Sequence, residues 1–170
     1  MNMYNIGLDI DGVLADFTRG WNKVYPDAPA MPNKYNYDPL MGQRFKAMKA
    51  AGTLDDFFLG LEPLFDPNEL PFTPKGYVTA RPIDTAITEM WLNIIGFPDS
   101  PVITVEWGES KVDAMKEAGI EIFIDDFYDN FKDLNDEGIL TYLYSAPWNQ
   151  EYDVGVLRIN SLKDILLLQQ

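Results

Sequence analysis

Two carboxylates one residue apart, Asp9 and Asp11, end an apolar run and precede a glycine in Ile6-Gly7-Leu8-Asp9-Ile10-Asp11-Gly12-Val13-Leu14-Ala15-Asp16-Phe17. Such a run bounded by a turn reads as a buried strand, and reactive groups of open α/β sheets sit just beyond the carboxyl ends of strands. Three more chemically useful groups follow apolar segments further on: Thr79-Ala80-Arg81, Lys111, and the pair Asp125-Asp126. Each also has a plain reading. Asp9 and Asp11 could be turn formers, Asp125-Asp126 a solvated turn, Thr79 a turn hydroxyl and Lys111 a solvated lysine with Lys116 as its competitor.

The residues that are missing narrow the chemistry. Among 170 residues there is neither histidine nor cysteine. Imidazole catalysis, thiol chemistry, disulfides and histidine-ligated zinc are excluded, so a metal must be held by oxygen, as Mg²⁺, Mn²⁺ or Ca²⁺ are. General acids and bases are restricted to carboxylates, lysine and tyrosine. The net charge of −14 repels nucleic-acid backbones and anionic lipid. No signal-peptide or membrane-spanning pattern is present, and the expected location is the cytoplasm.

These groups need an edge on which to meet. Strands are expected at about 4–9, 76–79, 101–105, 121–124, 139–144 and 154–159. Helices are expected at about 16–25, 41–51, 83–95, 110–118, 128–137 and 162–168. The alternation implies an α/β fold, a doubly wound, mostly parallel Rossmann-like sheet spanning 1–16 and 74–170. Residues 17–73 read as a small, mostly helical cap inserted after the first strand. The aromatic residues between 17 and 77 suggest that it has its own apolar cluster or pocket. In the helix at 83–95, Ile87, Met90, Trp91 and Ile94 are expected on one face. Asp16 reads as a helix cap.

If the ligand is a phosphate ester, each group has a task. Asp9, Asp11 and Asp126 offer hard oxygens to Mg²⁺. Thr79 and the Ala80 amide donate to phosphoryl oxygens, Lys111 supplies a fixed cation, and Asp11 can protonate a leaving oxygen. Arg81 is either a substrate contact or half of a structural ion pair.

The order Asp-x-Asp-Gly, Thr, Lys, acidic pair resembles the four motifs of the haloacid dehalogenase superfamily of phosphohydrolases. The resemblance covers the whole α/β core. It implies a nucleophilic Asp9, an acid/base Asp11, and phosphate binding by Thr79 and Lys111. It also implies Mg²⁺ on Asp9, the Asp11 main-chain carbonyl and Asp126, with Asp125 in support or binding through water. Asp9–Phe17 and Phe57-Phe58-Leu59-Gly60-Leu61-Glu62-Pro63-Leu64 are similar, more narrowly, to the 5'(3')-deoxyribonucleotidase family. In that family the residue matching Phe17 lines the nucleobase pocket, and Trp21, Tyr35 and Tyr37 could extend it. Thr79-Ala80-Arg81-Pro82 departs from the Thr-Ser-Pro of vertebrate members, which bears on the substrate. Pro147-Trp148-Asn149 resembles a Pro-aromatic-Asn segment at the site edge in relatives, and reads equally as an ordinary turn.

The expectation is therefore a Mg²⁺-dependent phosphomonoesterase acting on a (deoxy)nucleoside 5'-monophosphate. A phosphatase for another small ester, such as a sugar phosphate, is the alternative, as is a catalytically silent phosphate-binding protein of this fold. The partner is a small-molecule phosphate ester, with no nucleic-acid polymer and no membrane; a homodimer is left open.

Overall fold

A computed structural model of the chain describes residues 4–28 and 38–168. Six parallel strands form one sheet: β1 (Ile6–Leu8), β2 (Gly76–Thr79), β3 (Val102–Thr104), β4 (Ile122–Asp125), β5 (Leu140–Tyr144) and β6 (Arg158–Ile159). Their spatial order is β3-β2-β1-β4-β5-β6. The direction of winding reverses between β1 and β4, which opens a crevice at their carboxyl ends, where ligands of doubly wound sheets bind. The expected sixth strand is cut to two residues, because 155–157 form a 3-10 turn with Gly155 at a φ of 55°.

Alternation along the strands divides the core between two faces of the sheet. Tyr77, Ile122 and Ile124 point to one side, and Val78 and Phe123 to the other. Helices α5 (Val112–Ala118) and α6 (Tyr128–Asp136) cover the second side through Val112, Met115 and Leu134. The first side is covered by α4 (Thr85–Ile95), α7 (Asp164–Leu168) and the segment inserted after β1.

Helix α4 starts at Thr85, two residues later than expected. Pro82 precedes it, and the Asp84 carboxylate accepts the Ala86 amide as an N-cap. Its buried face is Thr88, Trp91 and Leu92, not the expected Ile87, Met90, Trp91 and Ile94. Met90 and Ile94 are 47% and 63% exposed. Trp91 sets the rotation: it is the largest side chain, fully buried, and its indole N–H donates to Leu61 O at 2.9 Å.

The insert contributes α1 (Phe17–Val24), α2 (Met41–Ala51) and α3 (Leu54–Leu59). Asp16 caps α1 by accepting the Arg19 amide. The insert's return is pinned beside its start, with Asp16 N donating to Glu62 O at 2.8 Å and Leu64 N to Leu14 O at 2.7 Å. Its aromatic residues do not form a cluster of their own. Phe17, Trp21, Phe45 and Phe58 are continuous with the sheet-face core of Leu8, Tyr77 and Trp91, because an insert this small cannot bury its aromatic rings alone.

One buried carboxylate organises the insert. Asp38, 3% exposed, accepts from Trp21 Nε1 at 2.9 Å, Arg44 Nη1 at 2.8 Å and the Leu40 amide at 2.9 Å. Burial alone would raise its pKa, but those donors and the Arg44 charge bring it below the ordinary carboxylate value. Asp38→Ala leaves the Trp21 N–H without its acceptor and Arg44 with Asp27 alone, and is expected to cost about 3 kcal/mol in denaturant unfolding near pH 7. Because the folded pKa is depressed, this contribution is complete above the unfolded value and fades as pH falls through the folded one. The gap between the parent and Asp38→Asn should therefore shrink below about pH 4. A gap constant from pH 7 to pH 2 would rule out Asp38 as the source.

Candidate active site

The loop after β1 is held tightly enough to aim both of its carboxylates. Asp9 N still pairs with Ile124 O at 3.0 Å, and Ile10 O accepts the Leu14 and Ala15 amides at 2.8 and 2.9 Å. Gly12 completes the turn at a φ of 86°, where side chains are strained. A Cβ there would also lie 2.2 Å from Asp126 Oδ2. The glycine therefore lets the β1 loop close onto the β4 loop.

Asp9, Asp125 and Asp126 converge across the crevice, each offering an oxygen within 4.8 Å of the others. Lys111, at the N-terminal end of α5, reaches between two of them. Its Nζ donates to Asp9 Oδ1 and Asp125 Oδ2, both at 2.9 Å. Asp125 is further held by the Phe127 amide at 2.9 Å and Asn130 Nδ2 at 3.1 Å. Asp126 Oδ2 accepts from Trp148 Nε1 at 2.8 Å, whereas Oδ1 is buried without a hydrogen-bond partner. Lys116, the competing lysine, lies on the surface beside Glu137.

Three buried carboxylates against one ammonium leave negative charge uncompensated, and the protonation equilibria register it. Burial and the Asp125 charge push Asp9 up to about 7 despite Lys111. Asp126 is raised well above the ordinary range by burial and by the Asp9 and Asp125 charges. Burial by itself would lower Lys111, but Asp125 and Asp9 outweigh it and hold the ammonium above its ordinary value. An all-oxygen cluster with excess negative charge and one open oxygen suits a hard divalent cation.

The loop after β2 supplies the other side. Thr79 and Ala80 line the same cavity as Asp9, Asp11, Lys111 and Asp126. The Thr79 hydroxyl oxygen accepts the Arg81 amide at 3.3 Å. Arg81 forms a two-point ion pair with Asp11, Nε to Oδ2 and Nη2 to Oδ1, both 2.9 Å. Its guanidinium also sits 5.0 Å from the Phe58 ring centre and 5.1 Å from that of Trp91, a cation–π sandwich joining the insert to α4. Arg81 thus forms an ion pair and also lines the cavity.

The cavity measures about 510 Å³. The insert contributes Phe17, Met41, Phe45 and Phe58 to its lining, and Trp107 lies beside them. Phe45 and Trp107 meet edge-on at 5.7 Å. Phe17 lines the cavity, whereas Trp21 is fully buried, its N–H donated to Asp38. Tyr35 and Tyr37 lie outside the described residues. Met41 and Phe45, one helical turn apart, and Trp107, in the loop after β3, were missed. Helical spacing was the signal for the first two, and position on the strand-end edge for the third.

No protein-family model and no curated protein matches the sequence. Among solved structures, the chain is similar to a hydrolase described as haloacid dehalogenase-like family protein SP0104 from Streptococcus pneumoniae. The TM-score is 0.62 with 98% of both chains covered, at 12% identity. At that identity the likeness speaks for a shared fold.

Lys111 is the only cation shared between Asp9 and Asp125 among the described residues. Replacing it with methionine should lower stability by about 3 kcal/mol in urea unfolding with chelator at pH 8. An unchanged midpoint would mean that the ammonium does not compensate the acidic cluster.

Proposed function

We infer that the chain is a phosphomonoesterase of the haloacid dehalogenase type, with (deoxy)nucleoside 5'-monophosphates as its leading substrates. One observation carries the reading. Asp9, Lys111, Asp125 and Asp126 converge at the crevice between β1 and β4, with Thr79 and Ala80 lining the same cavity. The shared fold supports it.

Attack comes from the Asp9 oxygen that Lys111 does not hold. It forms a bond to phosphorus as the bond to the leaving oxygen breaks, giving an aspartyl phosphate. Thr79 Oγ takes the Arg81 amide hydrogen, so its own hydroxyl hydrogen is left to donate to a phosphoryl oxygen, beside the Ala80 amide. Asp11 protonates the leaving oxygen. It then takes the proton of the water that attacks the phosphorus, releasing inorganic phosphate and restoring Asp9. Both Asp11 oxygens are engaged by Arg81, so proton exchange requires one of those bonds to open. The oxygens of Asp9, Asp126 and the Asp11 main-chain carbonyl, backed by Asp125, would hold Mg²⁺, whose charge when bound lets an anionic nucleophile meet an anionic ester.

The substrate class rests on the aromatic wall. Trp107 is exposed and offers a flat face of the kind a nucleobase stacks on, and the buried rings of Phe17, Phe45 and Phe58 complete an apolar lining behind it. Glu109, Asp129 and Asp133 also line the cavity and disfavour ligands with further negative charge. Nothing in the chain's composition or in the described helices favours a membrane: no helix among the described residues is long and apolar enough to cross one.

The test is release of phosphate from an aryl phosphate, dependent on added Mg²⁺. Asp9→Asn should lower turnover by roughly 10⁴-fold or more. Full activity in that variant, or none in the parent, would sink the enzyme reading. In a substrate panel, nucleoside monophosphates should exceed both sugar phosphates and nucleoside diphosphates in kcat/KM, and Phe45→Ala should narrow that lead. Sugar phosphates turned over faster would overturn the nucleotide assignment alone.

A further inference from the structure

The segment after β5 has no part in the chemistry described above, yet it grips Asp126 at two points. Trp148 Nε1 donates to Asp126 Oδ2 at 2.8 Å, and Asn149 Nδ2 donates to the Asp126 main-chain oxygen at 2.9 Å. Asn149 is itself fully buried and saturated. Its Nδ2 also reaches Tyr144 O at 2.7 Å, and its Oδ1 accepts from the Ala146 amide at 3.0 Å and Arg158 Nη1 at 2.9 Å. Arg158 Nη2 donates to the main-chain oxygens of Asn149 and Tyr152. This is a stiff bracket running from β6 through the 147–149 turn to the end of β4.

The bracket has a directional consequence. Asp126 has two oxygens, and the indole takes one of them. Gly12 packs against that same oxygen, close enough to leave no room for a Cβ. Oδ1 is then the oxygen left over, buried and without a hydrogen bond, in a cluster whose other members are Asp9 and Asp125. A buried carboxylate oxygen with no partner is costly unless something else satisfies it.

We propose that Trp148 and Asn149 are positioning residues: they fix the rotation and height of the Asp126 carboxylate so that Oδ1 is presented to a divalent cation shared with Asp9. Neither residue touches substrate in this role. The indole N–H holds the carboxylate in one rotamer before the ion arrives, so binding does not have to order it. Outer partners of metal-ligating carboxylates act in this way, and losing one typically weakens metal binding about 10- to 100-fold. The inference rests on the metal-site part of the proposed function and extends it to a loop on a different strand.

Trp148→Phe keeps the ring and removes the donor. In calorimetric titration with Mg²⁺ alone, it should bind the ion about 10- to 100-fold more weakly than the parent. The thermal midpoint in chelator should fall by no more than the loss of one hydrogen bond accounts for. Turnover of an aryl phosphate should fall at low Mg²⁺ and recover as Mg²⁺ is raised, with the KM for the ester little changed. A merely structural role would instead lower the midpoint in chelator and leave Mg²⁺ affinity intact, and that result overturns the proposal. A second measurement needs no variant. In the unaltered chain, Mg²⁺ should shift the indole N–H resonance of Trp148, one of four tryptophans. A resonance that stays in place while Mg²⁺ binds also overturns the proposal. If the parent binds no Mg²⁺ at all, the metal-site reading fails, and the positioning role falls with it. Binding that is undiminished in Trp148→Phe removes the positioning role alone.

Discussion

The structure depends on a charge balance that it leaves unfinished. Lys111 neutralises part of a buried cluster of Asp9, Asp125 and Asp126, and no other cation among the described residues reaches them. Desolvating three carboxylates is expensive, and one ammonium offsets only part of that cost. The raised protonation equilibria of Asp9 and Asp126 express the same deficit. The deficit lies at the carboxyl ends of β1 and β4, where the cavity opens. A divalent cation would bring the positive charge that completes the balance.

The sheet makes the deficit possible. The reversal of winding between β1 and β4 sets two acidic loops on either side of one crevice. Gly12 then lets those loops approach to within a distance that any side chain would block. Around this centre the second cation is placed differently. Arg81 is committed to Asp11 by two hydrogen bonds and sandwiched between Phe58 of the insert and Trp91 of α4. Asp11 is thereby coupled to the contact between insert and sheet. Changes in how the insert sits would reach Asp11 through one guanidinium.

Much of this was legible in the chain. Apolar runs ending in Asp, Thr or Asp-Asp mark strand ends, and in a parallel sheet strand ends share one edge. The lack of histidine and cysteine directed any chemistry to carboxylates and lysine. Lys111 was distinguishable from Lys116 by its place at the helix start, since only that end faces the crevice. The aromatic residues were harder. Phe17 and Trp21 are one helical turn apart and look alike in sequence, yet one lines the cavity and the other is sealed against Asp38. The face of α4 was misjudged for a similar reason. Several apolar stripes fit the helix, and the bond from Trp91 to Leu61 O selected among them.

The alternation of strands and helices, the positions of Asp9, Thr79 and Asp126 at strand ends and of Lys111 at a helix start, and the restriction to oxygen ligands can all be read from the chain. These follow from local periodicity and residue chemistry. Packing alone settled that Arg81 pairs with Asp11, that Phe45 and Trp107 meet edge-on, and that Trp148 takes one oxygen of Asp126. Those contacts join residues 22 to 70 positions apart in the chain, and no local pattern encodes which distant group will satisfy a buried charge or donor. That choice is made when the elements pack and each buried polar atom finds a partner or goes without.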